Sequence, residues 1–134
     1  MKKILVIEDD LNILKVITSK LEFLGYEVIQ AEDGLEGLAG LEQNPDLIWL
    51  DLYLPNMGGI EFLNKIGGIK QYEKIPIVIV SVSRSRVEES KLISIPNALR
   101  YFVKSGTTLD QIVEEIERIF GRNRGLRKTK KSQT

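Results

Sequence analysis

Three uninterrupted apolar runs, Ile4-Leu5-Val6-Ile7, Leu47-Ile48-Trp49-Leu50 and Ile77-Val78-Ile79-Val80, stand out along the chain. Apolar runs this short and this continuous predict strands of a parallel sheet covered on both faces. Two weaker runs, Tyr26 to Ala31 and Leu99 to Val103, bring the strands to five. Between them the apolar spacing changes to the helical period. Leu14, Ile17, Leu21 and Leu24 form one stripe in Leu11 to Leu24, with Asp10 placed to cap it and Gly25 to stop it. Asp33 caps a helix carrying Leu35, Leu38 and Leu41, which Asn44-Pro45 ends before the strand that reaches Asp51. Gly58-Gly59 opens a helix through Ile60, Phe62, Leu63 and Ile66, and Ser85 to Ile93 is a weaker one after the fourth strand. The last helix is the most distinct. Thr108 with Gln111 makes a capping box, and Leu109, Ile112, Val113, Ile116, Ile119 and Phe120 form the stripe before Gly121. Five alternations of strand and helix predict a doubly wound α/β domain.

Chemistry enters at the strand ends. Glu8-Asp9-Asp10 closes the run Ile4-Leu5-Val6-Ile7, and Asp51 closes the run Leu47-Ile48-Trp49-Leu50. Parallel strands share one carboxyl edge, so these acids crowd into one pocket. Like charges at close range repel unless a cation offsets them, and oxygen ligands suit Mg²⁺. Taken singly, each acid is equally a turn-former or a helix cap. With no Cys and no His in 134 residues, disulfides, thiol nucleophiles and catalytic arrangements built on His are excluded. What remains is carboxylate, hydroxyl and amine chemistry. The same edge receives Ser81 after the fourth strand and Lys104 after the fifth. Ligands bind at this edge in open α/β sheets. The set suits phosphoryl transfer, in which a carboxylate accepts the group, Mg²⁺ offsets its charge, and a lysine and a hydroxyl hold it.

A formal net charge of zero hides an asymmetry. From Gly121 onward the chain carries Arg122, Arg124, Arg127, Lys128, Lys130 and Lys131 and no acid, leaving thirteen bases against nineteen acids in the preceding 120 residues. Residues 1–121 are therefore expected to form the domain and 122–134 a basic, disordered tail that buries little. No apolar stretch approaches the roughly 20 residues of a membrane span, which points to a cytoplasmic protein with no membrane partner.

In four stretches taken in order the chain resembles the receiver domains of bacterial two-component response regulators, of the chemotaxis-receiver type. They are Ile4 to Asp10, Asp51-Leu52-Tyr53-Leu54-Pro55-Asn56-Met57-Gly58-Gly59, Pro76 to Ser81, and Tyr101-Phe102-Val103-Lys104. The resemblance covers residues 2 to about 120. It implies a flavodoxin-like, five-stranded parallel sheet of order 2-1-3-4-5 with five helices. It also implies that Asp51 accepts a phosphoryl group from a sensor histidine kinase, a phosphotransfer protein or a small acyl phosphate. Mg²⁺ would be bound by Asp9, Asp51 and the backbone carbonyl of Tyr53, with Glu8 acting through a metal-bound water. Ser81 matches the switch hydroxyl, Tyr101 the switch aromatic, and Lys104 the lysine that pairs with the phosphoryl group. The downstream partner is left open, as is a homodimer, and nucleic acid is not expected as a ligand of this chain. Three positions depart from the family pattern. Ser105 follows Lys104 where proline is usual, Ile95-Pro96-Asn97-Ala98-Leu99-Arg100 replaces the usual turn and reshapes the fourth helix, and Gly58 stands where Asp is common. Two other classes remain. One is a small Mg²⁺-dependent phosphatase or phosphotransferase, against which stands Tyr53 where such hydrolases carry a second Asp. The other is a pseudo-receiver that works without phosphorylation, against which stand the acids, Ser81 and Lys104.

Overall fold

The computed structural model describes residues 1–82 and 97–122. Five strands form one parallel sheet: β1 (Lys3–Ile7), β2 (Glu27–Ala31), β3 (Leu47–Leu50), β4 (Ile77–Ser81) and β5 (Ala98–Val103), in the order β2-β1-β3-β4-β5. Four helices belong to the described residues: α1 (Leu11–Phe23), α2 (Gly34–Gly40), α3 (Gly59–Ile66) and α4 (Leu109–Ile119). The helix expected over Ser85 to Ile93 lies outside them, as do the Ile95-Pro96 part of the reshaped turn and the tail beyond Arg122. The strand order is the one the resemblance implied.

Alternation along the strands sorts the core into two layers. Leu5, Ile7, Ile48, Leu50, Ile77 and Ile79 meet Phe62, Leu63 and Ile66 of α3 on one face. Ile4, Val6, Trp49, Val78 and Val80 meet α1 through Leu14, Ile17 and Leu21 and α4 through Ile112, Val113 and Ile116 on the other. A continuous apolar run is thus two alternating half-runs, each facing its own helices.

The caps follow the sequence. Asp10 accepts from the amides of Asn12 and Ile13, Asp33 from that of Glu36, and Thr108 and Gln111 form the reciprocal box. Gly25 takes the positive φ (95°) that turns the chain out of α1 into β2.

Helix α2 corrects the expected stripe of Leu35, Leu38 and Leu41 in part: Leu41, just past the helix, is buried in the core and Leu38 packs against it, but Leu35 turns outward. The buried face of the helix is Gly34, Gly37 and Gly40, while Leu35 is 55% exposed and Leu38 only partly covered. A Cβ on Gly37 would lie 2.5 Å from Ile7 Cδ1, and one on Gly40 2.8 Å from Leu5 Cδ1. The glycines let the helix backbone sit directly on β1, and the outward leucine follows from that register. In α4 two acids join the apolar stripe indoors. Glu117, 3% exposed, accepts a hydrogen bond from the hydroxyl of Tyr26 in front of β2, and Glu115 pairs with Arg100 of β5 (2.8 Å) and Arg118. Arg122, placed by sequence in the tail, lies over the Tyr26 ring, 4.4 Å from its centroid.

Candidate functional site

The carboxyl ends of β1, β3, β4 and β5 bring the acids, the hydroxyl and the lysine to one edge. Backbone ladders carry the strand geometry one residue past the strands. The Glu8 amide donates to Ala31 O (3.0 Å), that of Asp51 to Ile7 O (3.1 Å), and that of Lys104 to Ser81 O (2.7 Å). Each of these residues is therefore fixed by a neighbouring strand, which is why side chains on strand ends converge with little freedom.

Glu8, Asp9 and Asp51 each present a carboxylate oxygen within 4.8 Å of the others. Glu8 and Asp51 are buried, whereas Asp9 faces solvent. Lys104 reaches between the two buried acids, its Nζ 2.9 Å from Glu8 Oε1 and 3.0 Å from Asp51 Oδ2. The remaining carboxylate oxygens are held by backbone, Glu8 Oε2 by the Asp10 amide (3.1 Å) and Asp51 Oδ1 by the Tyr53 amide (3.0 Å). Burial holds the Glu8 carboxyl above its ordinary pKa. The Lys104 ammonium and the Asp10 amide pull it back only in part, and the charge of Asp51 pushes it further up. Burial works against the Lys104 ammonium too, but its hydrogen bonds to Glu8 and Asp51 and their charges outweigh this and keep its pKa above the usual value.

Ser81 is fully buried, and its Oγ has no hydrogen-bond partner among the described residues. An unpaired buried hydroxyl costs stability, of order 1–3 kcal/mol. Ser81 stands at the end of β4, the strand between those that end beside Asp51 and Lys104. Tyr101 of β5 is half-buried against the core layer of α2 and α3. The ring of Tyr53, two residues beyond Asp51, is 47% exposed. No cis peptide bond occurs among the described residues, so Lys104-Ser105 is trans, and Gly106 makes the turn toward α4 with φ 90°.

The loop from Leu52 to Gly58 leads from Asp51 to α3 and is bonded to the start of α2. Gly59 N donates to Leu52 O (2.9 Å) and Gly34 N to Met57 O (3.1 Å). Asn56, in the left-handed region at φ 62°, donates from Nδ2 to Asp33 Oδ2 (2.7 Å). Sequence reasoning read Asp33 only as a cap and gave Asn56 no task; the Pro55-Asn56 turn before Met57-Gly58-Gly59 was the available signal. Between α1 and α4 an apolar cleft of about 300 Å³, walled by Ile13, Val16, Ile17, Trp49 and Val80, opens toward Glu8 and Lys104. Trp49 therefore adjoins the site as well as the core.

Three carboxylates against one ammonium leave the pocket net negative, with oxygen donors only. That donor set fits a hard divalent cation of the Mg²⁺ type. Among the described residues no helix is long and apolar enough to cross a membrane.

The description "Response regulator receiver domain" fits residues 4–117 as a family model. A chemotaxis protein CheY homolog of Campylobacter jejuni is 28% identical over 126 residues, covering 92% of this chain and 95% of the relative. The CAI-1 autoinducer sensor kinase/phosphatase CqsS of Vibrio cholerae is 42% identical over 79 residues, 58% of this chain but only 12% of that protein. Among solved structures, the Mn(2+)-bound form of response regulator Rcp1 superposes with a TM-score of 0.76 at 28% identity, covering 90% of this chain and 94% of that one.

Proposed function

The chain belongs to the response regulator receiver domain family, and from that premise we propose that Asp51 is its phosphoryl acceptor and that Glu8, Asp9 and Asp51 form its cation site. The observation that carries the reading is the pairing of Lys104 with both Glu8 and Asp51 at the rim of three convergent carboxylates. Lys104 then holds in advance the positive charge that a phosphoryl group on Asp51 would meet, and Ser81 Oγ, buried and without a partner among the described residues, has a bond to give. Bound at these carboxylates, Mg²⁺ would offset the charge of the incoming phosphoryl oxygens. The metal named for the Rcp1 structure supports a divalent cation in this pocket. Asp9, Asp51 and the Tyr53 carbonyl would hold the cation, and Glu8 would act on it through water. Asp51 attacks the phosphorus of a phosphohistidine or a small acyl phosphate, the bond to the donor breaks, and the aspartyl phosphate later yields to water. Tyr101 follows Ser81 and Lys104 as the group whose position reports the modification. A sensor histidine kinase or phosphotransfer protein in the cytoplasm supplies the phosphoryl group. Residues 1–121, with Arg122 packed on Tyr26, form the working unit.

The test is labelling with a small phosphodonor. Wild type takes up one acid-stable, base-labile phosphoryl group in the presence of Mg²⁺, with a change in Trp49 fluorescence, and Asp51→Asn takes up none. Uptake that survives this substitution, or that needs no divalent cation, sinks the proposal. Sustained turnover of a diffusible phosphoester favours the phosphatase reading instead.

A further inference from the structure

The loop after Asp51 is tied to the site at one end and to α2 at the other. Its amide at Tyr53 fixes one oxygen of Asp51, and its path beyond is set elsewhere, at the first turn of α2. Three observations meet there. Asp33 shares its carboxylate between two tasks, with Oδ1 capping the amide of Glu36 (2.8 Å) and Oδ2 accepting from Asn56 Nδ2 (2.7 Å). Gly34 donates to the carbonyl of Met57, and a Cβ on Gly34 would lie 2.6 Å from that same oxygen and 2.7–2.8 Å from the Met57 side chain. Asn56 is held at φ 62°, which Asn tolerates better than most residues with a side chain.

We propose that the first turn of α2, through Asp33 and Gly34, is the seat of the Leu52–Gly58 loop, and that Asp33, Gly34 and Asn56 are positioning residues which set cation affinity at Asp51 without touching the cation. The proposal rests on the reading of Asp51 as part of a cation site. The hydrogen bonds of the Glu36 amide, first, and of the Asn56 amide hold the Asp33 carboxyl below its ordinary pKa, so both bonds are available throughout the neutral range. A divalent cation tolerates only small displacements of its ligands, and groups that orient those ligands from outside commonly control affinity.

Four variants separate the seat from the cap and from general stability. Asp33→Ser keeps an N-cap oxygen but is too short to reach Asn56. Asp33→Asn keeps the cap, and its amide can bond a flipped Asn56 side chain. Asn56→Gly keeps the left-handed backbone and loses the bond, and Gly34→Ala drives a methyl into Met57. Two quantities are read, the Mg²⁺ dissociation constant from Trp49 fluorescence and, in metal-free protein, the exchange rate of the Tyr53 amide by NMR. The constant is expected to rise about threefold in Asp33→Ser and Asn56→Gly and about tenfold in Gly34→Ala, with Asp33→Asn close to wild type. Tyr53 exchange should accelerate in the same order. Variants that lower the melting temperature but leave both quantities at the wild-type level, measured well below unfolding, overturn the proposal. A wild-type chain that takes up no Mg²⁺ instead overturns the reading of the cation site, and Tyr53 exchange then still decides whether α2 seats the loop.

Discussion

Glu8 carries a cost of burial. Its carboxyl is buried beside Asp51 and its pKa is raised above 4.5. The native state therefore takes up a proton at a pH where the unfolded chain has already lost it. Above the native pKa the ionised group lowers stability; as pH falls through that value the cost is relieved, and below 4.5 both states hold the proton. Lys104 acts in the opposite sense, but its raised pKa places any change above 10.5, so its contribution is constant at neutral pH. Glu8→Gln keeps an acceptor for Lys104 without the charge and gives up the bond from the Asp10 amide. In chelator at neutral pH it should be more stable than wild type by roughly 1 kcal/mol, and the gain should shrink as pH approaches 4.5. Thermal melts across that range check it, and a loss of stability at neutral pH would mean that the ion pair with Lys104 outweighs desolvation. The same variant should bind Mg²⁺ more weakly, which marks the cost as one retained for function.

At the level of elements, strands and caps were legible and the identity of one buried helix face was not. β1, β3 and β4 announce themselves because a doubly covered strand has no polar side to interrupt it. The convergence of the candidate site's groups was legible for the same reason, since Glu8, Asp51 and Ser81 are the first polar residues after those runs. In α2 the leucines carry the sequence signal while the glycines are the contact surface, and no apolar pattern marks a face built from the absence of side chains. Glu117 also escaped, because a carboxylate at a stripe edge reads as solvated until its Tyr26 partner is seen. In an ordinary helix Gly→Ala gains about 1 kcal/mol. At Gly37 the new methyl would meet Ile7 Cδ1 at 2.5 Å and Phe62 at 3.1 Å, so the sign should reverse. Gly37→Ala is expected to destabilise by about 1–3 kcal/mol in urea unfolding, and a stabilised variant would show that α2 can lift from β1 freely.

Across the whole molecule, β2 and α4 are joined at the end of the sheet opposite the site by Tyr26, whose hydroxyl bonds Glu117 and whose ring meets Phe120 at 5.6 Å and Arg122 at 4.4 Å. Tyr26→Phe removes a bond to a buried carboxylate and keeps the ring contacts. It should cost about 1–3 kcal/mol in denaturant unfolding while phosphorylation of Asp51 proceeds unchanged; a variant as stable as wild type would show that Glu117 is satisfied without the hydroxyl. The strand order β2-β1-β3-β4-β5 has one more consequence, in the order of synthesis. Strands β2, β1 and β3 are contiguous in the sheet and all are complete by Leu50, so the three carboxylates can gather as soon as the first half of the chain has left the ribosome. Lys104, their only ammonium partner in the described structure, is made 53 residues after Asp51. For that interval Glu8 and Asp51 lack the ammonium that stands between them in the finished fold, and the ions of the surrounding solution screen them instead.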